Sequence, residues 1–96
     1  MIPNLFTQNA LKDLASKCRT VAIQLPRNEA KSLESAANVL IKAEEAFDKG
    51  ERPLYKHYAA CGINWINIAK LATSLRAERD PIAIQHLKLY ENLVPY

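Results

Sequence analysis

Two histidines and two cysteines are the side chains of this 96-residue chain whose types and spacing best suit metal chemistry. His57 and Cys61 are four residues apart, so on an α-helix they would share one face and form half of a zinc site. Cys18 and His86 would have to complete that site from distant segments. Structural zinc sites usually contain two close ligand pairs, and only one is present here. We therefore expect two unpaired core thiols, and neither a metal ion nor a cofactor.

Arginine and histidine form a second pattern that could carry chemistry. Four residues separate Arg52 from His57, and six separate Arg79 from His86, with an aspartate directly after Arg79. This spacing resembles the Arg-x(4–6)-His signature of the HEPN ribonuclease families, which are also all-helical. The resemblance implies an arginine that holds the scissile phosphate and a histidine that moves the proton. The proline directly after Arg52 departs from the family, which prefers a polar residue there.

No other set of catalytic residues accompanies this pattern. The chain has no glycine-flanked serine and no glycine-rich loop for phosphates. Its adjacent carboxylates, Glu44 and Glu45, fall on a predicted helix surface, where solvation is the usual role. We predict that the protein is not an enzyme, and we rank HEPN-like ribonuclease activity last among the functions considered.

The segment 54–79 is the element around which we expect the fold to be organised. Its apolar residues recur in steps of four and three, which predicts one face of an α-helix. They are Leu54, Tyr58, Cys61, Trp65, Ile68, Ala72 and Leu75. We expect the other helices to pack on this stripe and Trp65 to be buried. Gly62 marks a break, a kink or a close contact with another backbone.

The same periodicity predicts three further helices. They run from Thr7 or Gln8 to about Leu25, from Arg27–Glu29 to about Lys49, and from Pro81 to about Leu93. Asn28 and Asp80 are the expected N-caps, and Gly50 is expected just after a helix end. Because the connections are short, neighbouring helices should be antiparallel. The sequence therefore predicts a single all-α domain, 1–96, a compact bundle of about four antiparallel helices with the helix around residues 54–79 central.

Composition and charge limit the functional classes. Apolar residues make up 49% of the chain, yet no apolar run approaches the ~18 residues of a membrane span. The first residues lack the basic and apolar regions of a secretory signal, so we expect a cytoplasmic protein. The net charge of +3 arises from residues 49–96, which carry seven basic and four acidic side chains. This bias is milder than the basic patch of most nucleic-acid-binding modules.

We therefore expect a small protein-interaction module, such as an adaptor, an accessory subunit or an inhibitor of a larger machine, of the kind encoded by phages and mobile elements. The alternative is a nucleic-acid-binding protein that uses the basic C-terminal half; helix-turn-helix binding would need a turn at Gly62. A homodimer is compatible with either function. The expected partner surface has Ile63 at its centre and a polar rim. Its residues are Lys56, Ile63, Asn67, Lys70, Arg76 and Arg79.

Overall fold

The computed structural model describes residues 8–93, which form four α-helices and no strand. The elements are α1 (Gln8–Ala22), α2 (Arg27–Asp48), α3 (Arg52–Ala77) and α4 (Pro81–Leu89), followed by a 3₁₀ turn at Tyr90–Asn92. The predicted all-α bundle is confirmed. Helix α3 continues through Gly62, so the two-helix interpretation of this segment as a helix-turn-helix is wrong.

The end of α1 and the cap of α2 differ from those predicted, whereas α2 begins at Arg27 as expected. Helix α1 ends at Ala22. The residues after it form a tight turn, in which the amide of Leu25 donates to the carbonyl of Ala22 at 3.2 Å. Helix α2 begins with Pro26 at the N-cap and has no side-chain cap, so the prediction that Asn28 caps it is wrong. Asn28 already lies inside the first turn, because the backbone bond from the amide of Ala30 to the carbonyl of Pro26, 2.9 Å long, closes that turn.

Two other signals in the sequence are confirmed. The Asp80 carboxylate accepts the backbone N–H of Ile82 at 3.0 Å and caps α4, which begins with Pro81. Gly50 adopts φ = 71° just after α2, in the left-handed region that glycine occupies without strain. Helix α4 ends at Leu89, earlier than the predicted Leu93, because the backbone tightens into the 3₁₀ turn.

Helix α2 lies between α1 and α3, and α4 packs against the C-terminal part of α3. The predicted apolar stripe of α1 is buried from Leu11 to Ala22, and it packs on the leucines and alanines of α2. The Cα atoms span 45 × 25 × 17 Å. Two helices have neighbours on both sides, since α2 lies between α1 and α3, and α3 lies between α2 and α4.

The prediction that the 54–75 stripe of α3 forms the core is wrong. The fully buried positions of α3 are one residue further along: Ala59, Gly62, Ile66, Ala69 and Thr73. Trp65 is instead 37% exposed. The reason is steric, because a Cβ atom on Gly62 would lie only 2.6 Å from Cδ2 of the fully buried Leu40. Helices α2 and α3 approach so closely that mostly small residues fit between them.

A similar correction applies to Phe47. Its helical spacing predicts that it belongs to the core stripe of α2 with Leu33, Ala37, Leu40 and Ile41, yet its side chain is 39% exposed. The ring packs edge-on against Tyr55 of α3, with the centroids 5.3 Å apart. Phe47 therefore packs on the surface at the α2–α3 turn and not in the interior.

Candidate functional site

Helix α3 carries a partly exposed apolar stripe beside its buried face, which we name the outer seam. It consists of Leu54, Tyr58, Cys61, Trp65, Ile68, Ala72 and Leu75. Its large aliphatic members are 40% (Leu54), 50% (Ile68) and 57% (Leu75) exposed, and Leu71 beside them is 61% exposed. Successive seam residues are four and three positions apart over three heptads, the spacing of positions that pack into another helix in a coiled coil.

Charge is distributed unevenly along this face. From Tyr58 to Leu75 the seam and its open flank carry no charged side chain, because Lys70, the charged residue of that stretch, points to another side of the helix. Charges of both signs appear at the two ends. Glu51 is the N-cap of α3 and Arg52 is its first residue, and Glu78 and Arg79 follow its last residue, Ala77. The N-terminal end is also a shallow groove between α2 and α3, lined by Lys42, Glu45, Ala46, Lys49, Glu51, Leu54 and Tyr58.

A buried polar cluster joins α2, α3 and α4 on the inner side. The Arg76 guanidinium donates to both oxygens of Glu29, from Nε to Oε2 at 2.8 Å and from Nη2 to Oε1 at 3.0 Å. The Thr73 hydroxyl donates to Glu29 Oε1 at 2.6 Å, so its oxygen accepts from the Tyr90 hydroxyl at 2.9 Å. Glu29 is only 1% exposed. The cluster is thus a bidentate ion pair in which Glu29 is buried and the Arg76 side chain is 23% exposed.

Arg76 makes two further contacts that complete the cluster. Its Nη1 donates to Asp80 at 3.3 Å and its Nη2 to Nδ1 of His86 at 2.7 Å. Because arginine has no acceptor, His86 Nδ1 must be the acceptor, and the ring proton of the neutral form lies on Nε2. All three guanidinium nitrogens are therefore engaged within the fold. These contacts join α3 to α2 and α4. They leave Arg76 no pair of N–H groups free to bind a phosphate.

The ionisation of the cluster follows from these contacts. Burial is the largest influence on the Glu29 pKa and raises it, but the hydrogen bonds from Arg76 and Thr73 and the charge of Arg76 together outweigh it, so the pKa is lowered. The hydrogen bond to Glu29 raises the pKa of Arg76. Burial raises the pKa of Tyr90. At neutral pH the cluster is therefore a carboxylate–guanidinium pair with a neutral tyrosine.

The predicted arginine–histidine pairs are not joined in the structure. The arginine that contacts His86 is Arg76. Within the described part of the chain, no hydrogen bond or ion pair connects Arg79 to His86 or Arg52 to His57. His57 instead has its Nε2 3.7 Å from the sulfur of Cys61, one turn along α3. The geometry therefore assembles neither of the two arginine–histidine sites that the spacing suggested.

The two cysteines occupy different environments, and both are free thiols. Cys18 is fully buried in α1, and burial raises the pKa of its thiol to about 12. Cys61 is half-buried on the outer seam. Among residues 8–93, no three histidine, cysteine, aspartate or glutamate side chains come together as a possible metal site.

The residues of the predicted partner surface are found in three settings. Lys56, Asn67 and Lys70 are exposed on one side of α3, as expected for a polar rim. Ile63, the expected centre, is half-buried and packs against the core. Arg76 belongs to the polar cluster, and Arg79 is exposed at the end of the outer seam. The structure does not bring these six residues together as one patch, and their role in binding stays a prediction.

Sequence analysis missed Glu29, Thr73 and Tyr90 as members of a cluster. Thr73 and Arg76 are three residues apart on the inner side of α3, which is a signal that sequence could have provided. From the sequence, Glu29 is an acidic residue at the start of a helix, where a negative charge is favourable without any distant partner. Its pairing across 47 residues with Arg76 depends on how α2 and α3 pack.

Comparisons with protein families, with characterised proteins and with solved structures found no match to this chain. None of the helices in residues 8–93 is both long and apolar enough to cross a membrane. Interpretation of the candidate site therefore depends on the geometry of the chain itself.

Proposed function

We propose that the protein is a protein-interaction module that binds an α-helix of its partner along the outer seam of α3. The observation that carries this proposal is that the buried positions of α3 are mostly small, whereas several of its large apolar side chains are exposed. Alanines, a glycine and a threonine occupy most of the buried positions, whereas Trp65, Ile68 and Leu75 are exposed. Apolar surface left in water is unfavourable by about 25 cal/mol per Å², so a partner that covers this face would stabilise the complex.

The spacing supports a helical partner. Scattered exposed apolar residues are normal on a folded domain, but here four exposed and three half-buried residues form one line in steps of four and three. A strict 4-3 line is the narrow seam along which two helices interlock their side chains. Trp65 near its middle is the residue type most often found at the energetic centre of an interface.

The same geometry supports binding instead of catalysis. The groove at the N-terminal end of the seam contains lysines and glutamates, and no histidine. The polar cluster uses all nitrogens of Arg76 for contacts within the fold. Action as an adaptor, an accessory subunit or an inhibitor follows from a surface that binds without reacting.

Site-specific photocross-linking tests this proposal. A photoreactive amino acid at Ile68 lies on the outer seam. The same amino acid at Asn38 is the control, since Asn38 is exposed on α2 and belongs neither to the seam nor to the predicted partner surface. We expect irradiation in an extract of the protein's own cells to produce a discrete cross-linked product from position 68 and none from position 38. Absence of a product from position 68, or equal products from both positions, would contradict the proposal.

A further inference from the structure

We infer that two copies of this chain hold one zinc ion between them, and that each copy contributes the imidazole of His57 and the thiolate of Cys61. The two residues lie one turn apart on α3. His57 is exposed and Cys61 is half-buried, so a metal ion can reach both side chains. Such a metal site goes beyond the proposed function, because it depends on one pair of side chains and not on the length of the outer seam.

The distance between the two donor atoms suits a tetrahedral zinc ion. His57 Nε2 lies 3.7 Å from the sulfur of Cys61. Zinc bonds of about 2.0–2.1 Å to nitrogen and about 2.3 Å to sulfur, meeting at a tetrahedral angle, place the two donors about 3.6 Å apart. With the same bonds, donors on opposite sides of the metal would be about 4.4 Å apart. The pair therefore fits two adjacent positions of a tetrahedral site with little movement of either side chain.

Zinc takes the place of the hydrogen between these two atoms. When the metal binds, Cys61 releases its thiol proton to the solvent and its sulfur coordinates as a thiolate. The Nε2 lone pair of the neutral His57 ring coordinates beside it, and the ring proton stays on Nδ1. In a site built from two copies, the two thiolates offset the two positive charges of zinc. The completed site is neutral, which suits the apolar side chains of the outer seam.

One copy supplies too few ligands to close such a site. Structural zinc sites have four protein ligands, and among residues 8–93 no third histidine, cysteine, aspartate or glutamate joins this pair. The other histidine and cysteine are engaged elsewhere, since His86 contacts Arg76 and Cys18 is fully buried in α1. A second copy related by a two-fold axis through the metal supplies an identical pair. The second close ligand pair that a structural zinc site needs is thus the same pair used twice, and the ligand set is Cys₂His₂.

The surface around the pair allows two copies to approach. Residues three or four positions from either ligand share its side of α3, and none of them is charged. They are Pro53, Leu54, Tyr58, Ala60, Asn64 and Trp65. Between residues 53 and 69 the single lysine, arginine, aspartate or glutamate is Lys56, which the helical turn directs to another side of α3. Like charges therefore do not oppose contact at the metal.

Sedimentation with and without zinc tests the site. Zinc sulfate added to the purified, metal-free protein should convert monomer to dimer and saturate at one zinc per two chains, and EDTA should reverse the change. His57→Gln and Cys61→Ser should each lose this response while keeping the wild-type circular dichroism spectrum. His86→Gln and Cys18→Ala are the matched controls and should keep the response. Sedimentation that zinc leaves unchanged, or saturation at one zinc per chain without a dimer, would overturn the inference.

Cobalt(II) in place of zinc identifies the ligands. The cobalt-bound protein should show the absorption of a tetrahedral site with thiolate ligands, and Cys61→Ser should lose it. Zinc should also protect Cys61 of the folded protein from iodoacetamide, and EDTA should restore the labelling. Thiolate–cobalt absorption that survives in Cys61→Ser would place the metal elsewhere and contradict the inference.

The metal site and the proposed function fail separately. If zinc leaves the protein monomeric but position 68 still cross-links to a different protein, the inference fails while the proposed function stands. If the zinc-bridged dimer forms but position 68 gives no product in the extract, the metal site stands while the proposed function fails. If neither the dimer nor the product forms, both fail.

Discussion

The ion pair of Glu29 and Arg76 predicts how stability depends on pH. Without Arg76, the buried Glu29 carboxylate should destabilise the protein as the pH rises. Arg76→Met removes the guanidinium and leaves the Glu29 carboxylate, 1% exposed, with the hydrogen bond from Thr73. Removing one partner of a buried ion pair typically costs about 3–5 kcal/mol. We expect the lower end, about 3 kcal/mol at neutral pH, because Glu29 can take up a proton. For a domain of this size that loss leaves a folded but weakened protein.

The double variant Glu29→Gln with Arg76→Met is the control. It removes the charge as well as its partner, and replacing both members of a buried pair is often nearly neutral. We therefore expect the double variant to be about 1 kcal/mol less stable than the wild type and more stable than Arg76→Met alone. Both variants lose the contacts of Arg76 with Asp80 and His86, so those losses cancel in the comparison.

The pH dependence has opposite signs in the wild type and in Arg76→Met. In the wild type the pKa of Glu29 is lowered, so the contribution of the ionised pair is complete above the unfolded value of about 4.3 and is lost as the pH falls through the folded pKa. In Arg76→Met the hydrogen bonds and charge of Arg76 are gone and burial dominates, which raises the pKa. The contribution of Glu29 is then present at low pH and is lost as the pH rises.

Urea denaturation followed by circular dichroism at several pH values between 4 and 8 measures these differences. The free energy of unfolding of Arg76→Met, minus that of the double variant, should fall as the pH rises, and the wild type should show no such fall from the Glu29 carboxyl. If the two variants are equally stable at every pH, Glu29 is not a buried carboxylate that depends on Arg76, and the argument is wrong.

Four further predictions concern single sites. Gly62→Ala should destabilise the protein by about 1–2 kcal/mol in urea denaturation, even though alanine favours a helix, because its Cβ would lie 2.6 Å from Cδ2 of Leu40; an unchanged stability would show that α2 and α3 are less closely packed. Asp80→Ala should lower the free energy of unfolding by about 1 kcal/mol through the lost cap, and Asp80→Asn, which keeps an acceptor, should lower it less. Iodoacetamide should label Cys61 in the native protein and spare Cys18, whose pKa is about 12 and whose side chain is buried, until urea unfolds the chain; rapid native labelling of Cys18 would contradict its burial. The purified protein should not cleave RNA, and cleavage that disappears in His86→Ala or His57→Ala would reverse the ranking of functions.

Local chemistry was enough to predict several elements of the fold. The step pattern of four and three identified α3, and Asp80 followed by Pro81 placed the start of α4. Gly50 marked the end of α2, where its φ is 71°. These features depend on residues within one turn of each other, so a sequence contains all the information that they require.

The orientation of α3 was decided by tertiary structure. Its sequence carries two parallel apolar lines one residue apart, and both have the same periodicity. Hydrophobicity favours the line that contains Trp65, but close approach to α2 requires the line that contains Gly62 and the alanines. Periodicity indicates which residues share a helix face. It does not indicate which face packs against another helix. The distance between two helix axes depends on the side chains of both helices.

The polar cluster was decided in the same way. Glu29 and Arg76 are 47 residues apart, and neither is unusual in its local sequence. They meet because α2 and α3 are antiparallel, which brings the first turn of one helix beside the last turn of the other. The sequence by itself determined where α2, α3 and α4 begin and which helix faces are apolar, but it placed the ends of α1 and α4 too late. Only the packing of α3 on α2 decided that the line with the larger apolar side chains stays partly exposed, because small side chains allow the closer contact between the two helices.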